Sequence, residues 1–156
     1  MIGLILVNLY KNRAMTSEII YKGHLRTQAK HLQSGTVVET DAPTDNHGKG
    51  ERFSPTDIVA TALGSCMLTI MGIKARDMNV DLEGTKIDIT KIMASEPRRI
   101  SGIKVHFHFP ENLQLDEKQK AILERAAITC PVAKSINPEI ELDTQFNWSE
   151  QVSSKL

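Results

Sequence analysis

The sequence predicts a single α+β domain built on an antiparallel-rich sheet, and three observations carry that reading. Segments with period-two alternation and segments of helical character follow one another as strands, helix, strands, helix, strand. The first helical segment is apolar on every side, which marks a helix enclosed by protein rather than lying on a surface. The chain has 156 residues. A chain of that length buries about 70% of its unfolded surface and holds a core without disulfide or metal.

Residues 1–14, MIGLILVNLYKNRA, are short and apolar, with neither a basic leader nor a small-residue cleavage site. They are expected as an N-terminal extension or an extra strand, not a signal peptide. Residues 15–156 form the domain. Residues 17–32 alternate, with Ile19, Tyr21 and Leu25 on one face and Lys22, His24 and Arg26 on the other, and read as one strand. QSG turns the chain and TVVET returns it as a hairpin. Residues 41–52, rich in Pro, Gly, Asn and charge, read as a loop.

Ser54 is placed to cap the first helix, with Pro55 at its first position and Asp57 at its third. The helix is expected to run to about Arg76. Ala62 and Gly64 would admit another backbone at close range. A chain of this size encloses such a helix only with a second copy, so a homodimer is expected, with the helix near its interface. Residues 80–90 and 100–110 form the next strand pair, turned by SEPRR. Ile103, Val105, Phe107 and Phe109 alternate there with Lys104, His106 and His108. Asp116 with Gln119 opens a second helix with the stripe Leu123, Ala126, Ala127 and Cys130. Pro131 interrupts it, VAKSI makes a short further turn, and residues 139–148 close the domain as a strand.

Composition excludes several classes. Lys+Arg and Asp+Glu are both 19, so the neutral chain has no electrostatic footprint for nucleic acid or an anionic membrane. Lys118, Lys120 and Arg125 are interleaved with Glu117 and Glu124. The longest uncharged apolar run, Ile58 to Ile73, falls short of the roughly 20 residues that span a bilayer. No Gly-rich phosphate loop and no Ser/His/Asp order is present. His106 and His108 share a strand face without a third ligand, which favours a solvated face over a metal site. His24 and His31, flanking Arg26, read as surface residues, and the six methionines read as core filler.

Two cysteines remain, too few for a disulfide framework, and the expected compartment is the reducing cytoplasm. Cys66 is either a small apolar core residue or a nucleophile. It lies too far along the helix for the dipole to activate it, so a nucleophilic Cys66 needs a cation from elsewhere in the fold. Cys130 is either a core residue or, directly before Pro131, the cap of the short turn. In the latter role free amides would favour its thiolate and make it, on local physics, the more acidic thiol. The pair suits a dithiol in which one cysteine becomes a sulfenic acid and the other condenses with it.

FSPTDIVATALGSCMLTIM resembles the central-helix signature of the osmotically inducible protein C and organic hydroperoxide resistance (OsmC/Ohr) family, and CPVAKSI resembles its second cysteine motif. The family's order of elements is similar to this one over roughly residues 18–148. The resemblance implies antiparallel-rich sheets around a long buried central helix, in an intertwined homodimer with two interfacial active sites. It implies a cofactor-free, metal-free thiol peroxidase with Cys66 as the peroxidatic cysteine and Cys130 as the resolving one, reversing the local reading. It implies that Arg26 polarises the thiolate. The substrate would be a small apolar hydroperoxide and the reductant an external, lipoyl-type dithiol. One departure stands out. The organic hydroperoxide resistance branch carries a glutamate ten residues before its reactive cysteine, paired to the arginine, where this chain has Thr56. Asp57 falls half a turn away from Cys66 and reads as part of the cap, leaving Glu51 as a possible substitute. The alternatives are a non-catalytic dimeric module binding a small apolar ligand, and a thiol redox sensor.

Overall fold

The computed structural model describes residues 15–148, so the expectation for residues 1–14 lies outside the described residues. The chain groups into two units, one ending at Pro55 and the other starting at Thr56.

The first unit is an antiparallel sheet in the order β1 (Ser17–Gly23), β2 (Arg26–His31), β3 (Val37–Asp41). The segment expected as one strand is therefore two. Gly23, His24 and Leu25 all have positive φ, at 82°, 52° and 60°, and reverse the chain in a tight hairpin turn. Such turns are usually marked by Asn-Gly or Asp-Gly; His-Leu carries no such mark. The Tyr21 hydroxyl accepts the Leu25 N–H at 3.2 Å, and the Leu25 carbonyl accepts the Ala42 N–H at 3.1 Å. His24 and Leu25 therefore sit in the turn instead of on opposite strand faces. The second hairpin turns where QSG predicts, with Gly35 at φ 76°. Ile19, Ala29 and Val38 stand in register across the sheet, and Ile19 and Val38 are exposed. The loop after β3 holds a short 3₁₀ turn, Thr44–Asn46.

The second unit holds α1 (Pro55–Asp77), β4 (Lys86–Ser95), β5 (Arg98–His108), α2 (Glu117–Ile128), α3 (Pro131–Ser135) and β6 (Glu141–Asn147). The sheet order is β4-β5-β6, with β4 antiparallel and β6 parallel to β5. A parallel pair needs a long crossover, and α2 and α3 supply it. The core joins a stripe of α1 (Ala60, Leu63, Gly64, Met67, Met71, Ala75) to Ile103, Val105, Phe107 and Phe109 of β5 and its end, and to Leu123, Ala127 and Cys130. Phe107 stacks on Phe146 at 4.8 Å and Phe109 on Trp148 at 3.6 Å between ring centres. Of the methionines, Met67 and Met71 are buried as filler, whereas Met15 is exposed.

One expectation about α1 changes. Gly64 receives a side chain, not another backbone: a Cβ there would lie 2.6 Å from Ile89 Cδ1. Within the chain the helix is buried on one face, with Val59, Ala62 and Ile73 exposed on its other side. In length and composition α1 is apolar enough to cross a membrane, because the helix extends past the uncharged run. Its buried face packs into the core of its own unit.

Candidate thiol site

The second unit brings the two cysteines together. Cys66 lies at the middle of α1 and is partly exposed, while Cys130 is fully buried; both are free. The two thiols lie close enough to influence each other's ionisation. That proximity across 64 sequence positions is what spacing alone could not establish.

The two readings of Cys130 hold together. Thr129 ends α2, and Pro131, at the first position of α3, suits a helix start. Cys130 between them is the N-cap: its Sγ accepts the Ala133 N–H at 3.4 Å. The side chain is also part of the core. Burial pushes the Cys130 thiol above its ordinary range. The Ala133 and Val132 amides pull it down by less, and the Cys66 thiol adds to the rise. The local argument for an acidic Cys130 therefore fails. The amides are where the Cys-Pro step puts them, but a thiolate there loses more from desolvation than the cap returns. Cys66 is the thiol that solvent reaches.

In the first unit, Arg26 opens β2 and stands opposite Asp41 of β3 in the strand register. Its Nε donates to Asp41 Oδ1 at 2.6 Å and its Nη2 to Asp41 Oδ2 at 2.8 Å. Nη2 also donates to Glu51 Oε2 at 2.8 Å. The Asp41 side chain is 3% exposed and that of Glu51 56%. The guanidinium holds the Asp41 carboxyl below its usual range against the opposing effect of burial, and the two carboxylates raise Arg26 further above its already high range. Glu51, named from the sequence as a possible substitute for the family glutamate, is thus a partner of Arg26. Asp41 was missed. It sits at the start of a stretch read as loop, and its burial was the signal that composition could not supply.

Thr56 and Asp57 face a different partner. Lys91 of β4 donates to Thr56 Oγ1 at 2.8 Å and pairs with Asp57 Oδ1 at 2.7 Å. His108 meets Asp88 at 2.8 Å, His106 Nε2 lies 3.8 Å from Asp143, and His31 Nδ1 meets Ser34 Oγ at 2.7 Å. Among the described residues no group of three His, Cys, Asp or Glu side chains is placed to hold a metal.

A family model for OsmC-like protein matches residues 48–145. The chain is 53% identical to a Psychrobacter arcticus protein whose name ascribes it to osmotic stress induction and detoxification response; the match covers 86% of this chain and 96% of that one, at a TM-score of 0.82. An OsmC-like protein of Mycoplasma pneumoniae shares the fold at 12% identity and TM-score 0.72, over 89% of this chain and 99% of that one. An organic hydroperoxide resistance protein OsmC of Legionella pneumophila shares it at 15% and 0.68, over 88% and 100%. No curated protein matches the chain.

Proposed function

The chain belongs to the OsmC-like family, and from that premise we propose that it is a thiol-dependent peroxidase reducing small apolar organic hydroperoxides. The family and the hydroperoxide-resistance names among its structural neighbours support a role in redox or peroxide stress. The observation that carries the finer reading is the proximity of a solvent-reached thiol on α1 to a buried thiol capping α3.

The Cys66 thiolate attacks the distal oxygen of the hydroperoxide. A sulfur–oxygen bond forms, the oxygen–oxygen bond breaks, and the departing alkoxide takes a proton to leave as alcohol. Cys66 is then a sulfenic acid. The Cys130 sulfur attacks it, water leaves, and a Cys66–Cys130 disulfide remains. Two electrons from an external dithiol of lipoyl type restore both thiols. Arg26 supplies the cation that favours the Cys66 thiolate. The chain works as a homodimer in the cytoplasm; the exposed Val59, Ala62 and Ile73 of α1 and Ile19 and Val38 of the first sheet support a covering copy.

The test is peroxide consumption with cumene hydroperoxide and a dithiol reductant. Cys66→Ser abolishes turnover, while Cys130→Ser consumes peroxide once per chain and then stalls. Full turnover by Cys66→Ser removes the proposal. One observation favours a second reading, a non-catalytic module binding an apolar ligand: two carboxylates already answer the Arg26 charge. Slow labelling of both thiols at neutral pH, with no peroxide consumed, would establish it. Rapid disulfide formation without turnover would instead mark a redox sensor.

A further inference from the structure

The geometry points to Cys66 as the sulfur that the reductant attacks and to Cys130 as the sulfur that leaves. The inference rests on the reading in which peroxide produces a Cys66–Cys130 disulfide, and it gives the two ends of that bond different parts in its reduction.

Thiol–disulfide exchange begins when a thiolate attacks one sulfur of the bond, so it runs only at a sulfur that the thiolate reaches. Cys130 is 0% exposed and belongs to the core with Leu123 and Ala127, whereas Cys66 is partly exposed. Hydrogen bonds also hold Cys130 in place. Its N–H donates to the Ala127 carbonyl at 3.2 Å, and its carbonyl accepts the Lys134 N–H at 3.1 Å. Its Sγ accepts the Ala133 N–H at 3.4 Å. Solvent reaches that sulfur only when the junction of α2 and α3 opens out of the core. A second copy of the chain adds cover and removes none, so Cys130 stays closed in a homodimer as well.

Reduction then has a fixed order. A reductant thiolate attacks Cys66 Sγ. A bond from the reductant sulfur to Cys66 forms, the bond to Cys130 breaks, and Cys130 departs with the electron pair. Burial favours its neutral thiol, so it takes up a proton. The second thiol of the reductant attacks the reductant's own sulfur in the mixed disulfide, closes a cyclic disulfide and releases Cys66 as a thiolate. Two electrons have passed from dithiol to protein. A monothiol lacks that second sulfur, and Cys130, close by, expels it from Cys66 by reversing the first step.

Two measurements on the full-length chain test the order. In the first, Cys130→Ser and Cys66→Ser, each with one thiol left and folding checked by circular dichroism, exchange with dithionitrobenzoate. Folded Cys130→Ser reacts at least about tenfold faster than folded Cys66→Ser, and the two rates converge in urea, where access is equal. In the second, the unsubstituted chain is oxidised with cumene hydroperoxide, given glutathione and trapped with N-ethylmaleimide. Tryptic peptides 53–74 and 126–134 carry one cysteine each. Glutathione is found on 53–74 and maleimide on 126–134. This mapping carries the test should a serine variant not fold. A smaller ratio between the folded variants, a ratio that persists in urea, or glutathione on 126–134 overturns the inference and leaves the peroxidase reading standing. Oxidation that yields no Cys66–Cys130 disulfide overturns that reading and this inference with it.

Discussion

Gly64 offers a sign-reversing test of how α1 packs. An added methyl would sit 2.6 Å from Ile89 Cδ1, 3.4 Å from Ile89 Cγ1 and 3.7 Å from Ile87 Cγ2. Carbon contacts are favourable near about 3.5–4.0 Å, so Cδ1 alone must move, by about 1 Å. Overpacking costs about 1–3 kcal/mol, and replacing glycine by alanine inside a helix returns about 1 kcal/mol. Gly64→Ala should therefore destabilise by about 1 kcal/mol. Ile89→Val removes Cδ1 and costs about 1 kcal/mol alone. In that background the clash is gone, and Gly64→Ala should stabilise by up to about 1 kcal/mol through helix propensity. The coupling is then about 2 kcal/mol, well above the few tenths by which independent sites depart from additivity. Urea unfolding of the four proteins, at one chain concentration because a dimer's stability depends on it, measures the cycle. An equal effect of Gly64→Ala in both backgrounds would refute the reasoning, and an equally destabilising one would instead indicate another backbone lying on Gly64.

Cys130 gives a pH prediction: its folded-state thiol lies above the ordinary range, so its contribution to stability is complete below about pH 8.5 and is lost as pH rises through the folded value. Cys130→Ala should flatten the alkaline limb of a stability–pH curve from urea midpoints; equal slopes would contradict this. At the start of α2, Asp116 accepts the Gln119 N–H at 2.7 Å while the Gln119 side chain accepts the Asp116 N–H at 3.0 Å. Asp116→Ala should cost about 1 kcal/mol and speed hydrogen exchange at the Gln119 amide, whereas Asp116→Asn should cost less.

What the chain displays plainly are signals exchanged between near neighbours. Asp116 and Gln119 announce their capping box because both partners lie within one turn, and α1 starts at the proline that favours a first helical position. Ile103 to Phe109 alternate because a strand repeats every two residues, and each of those four apolar residues is buried. The first hairpin was hidden because His24 and Leu25 adopt left-handed backbone without the residues that usually advertise it. The candidate residues of the two units were legible in part. Cys66, Cys130 and Arg26 stood out by type and motif, and Glu51 by its place in the loop, whereas Asp41 did not.

The order of the elements, the two cysteine motifs and the capping of α3 by Cys130 were written in residues a few positions apart, because propensity, periodicity and end-capping act over that range. Only the folded chain decided that Cys66 and Cys130 come close together, that burial outweighs the cap at Cys130, and that Arg26 is forked by Asp41. Ionisation and ion pairing answer to solvent exclusion and to charges brought close by folding, across 64 positions for the thiols and 15 for the arginine and its carboxylate. No local pattern encodes either.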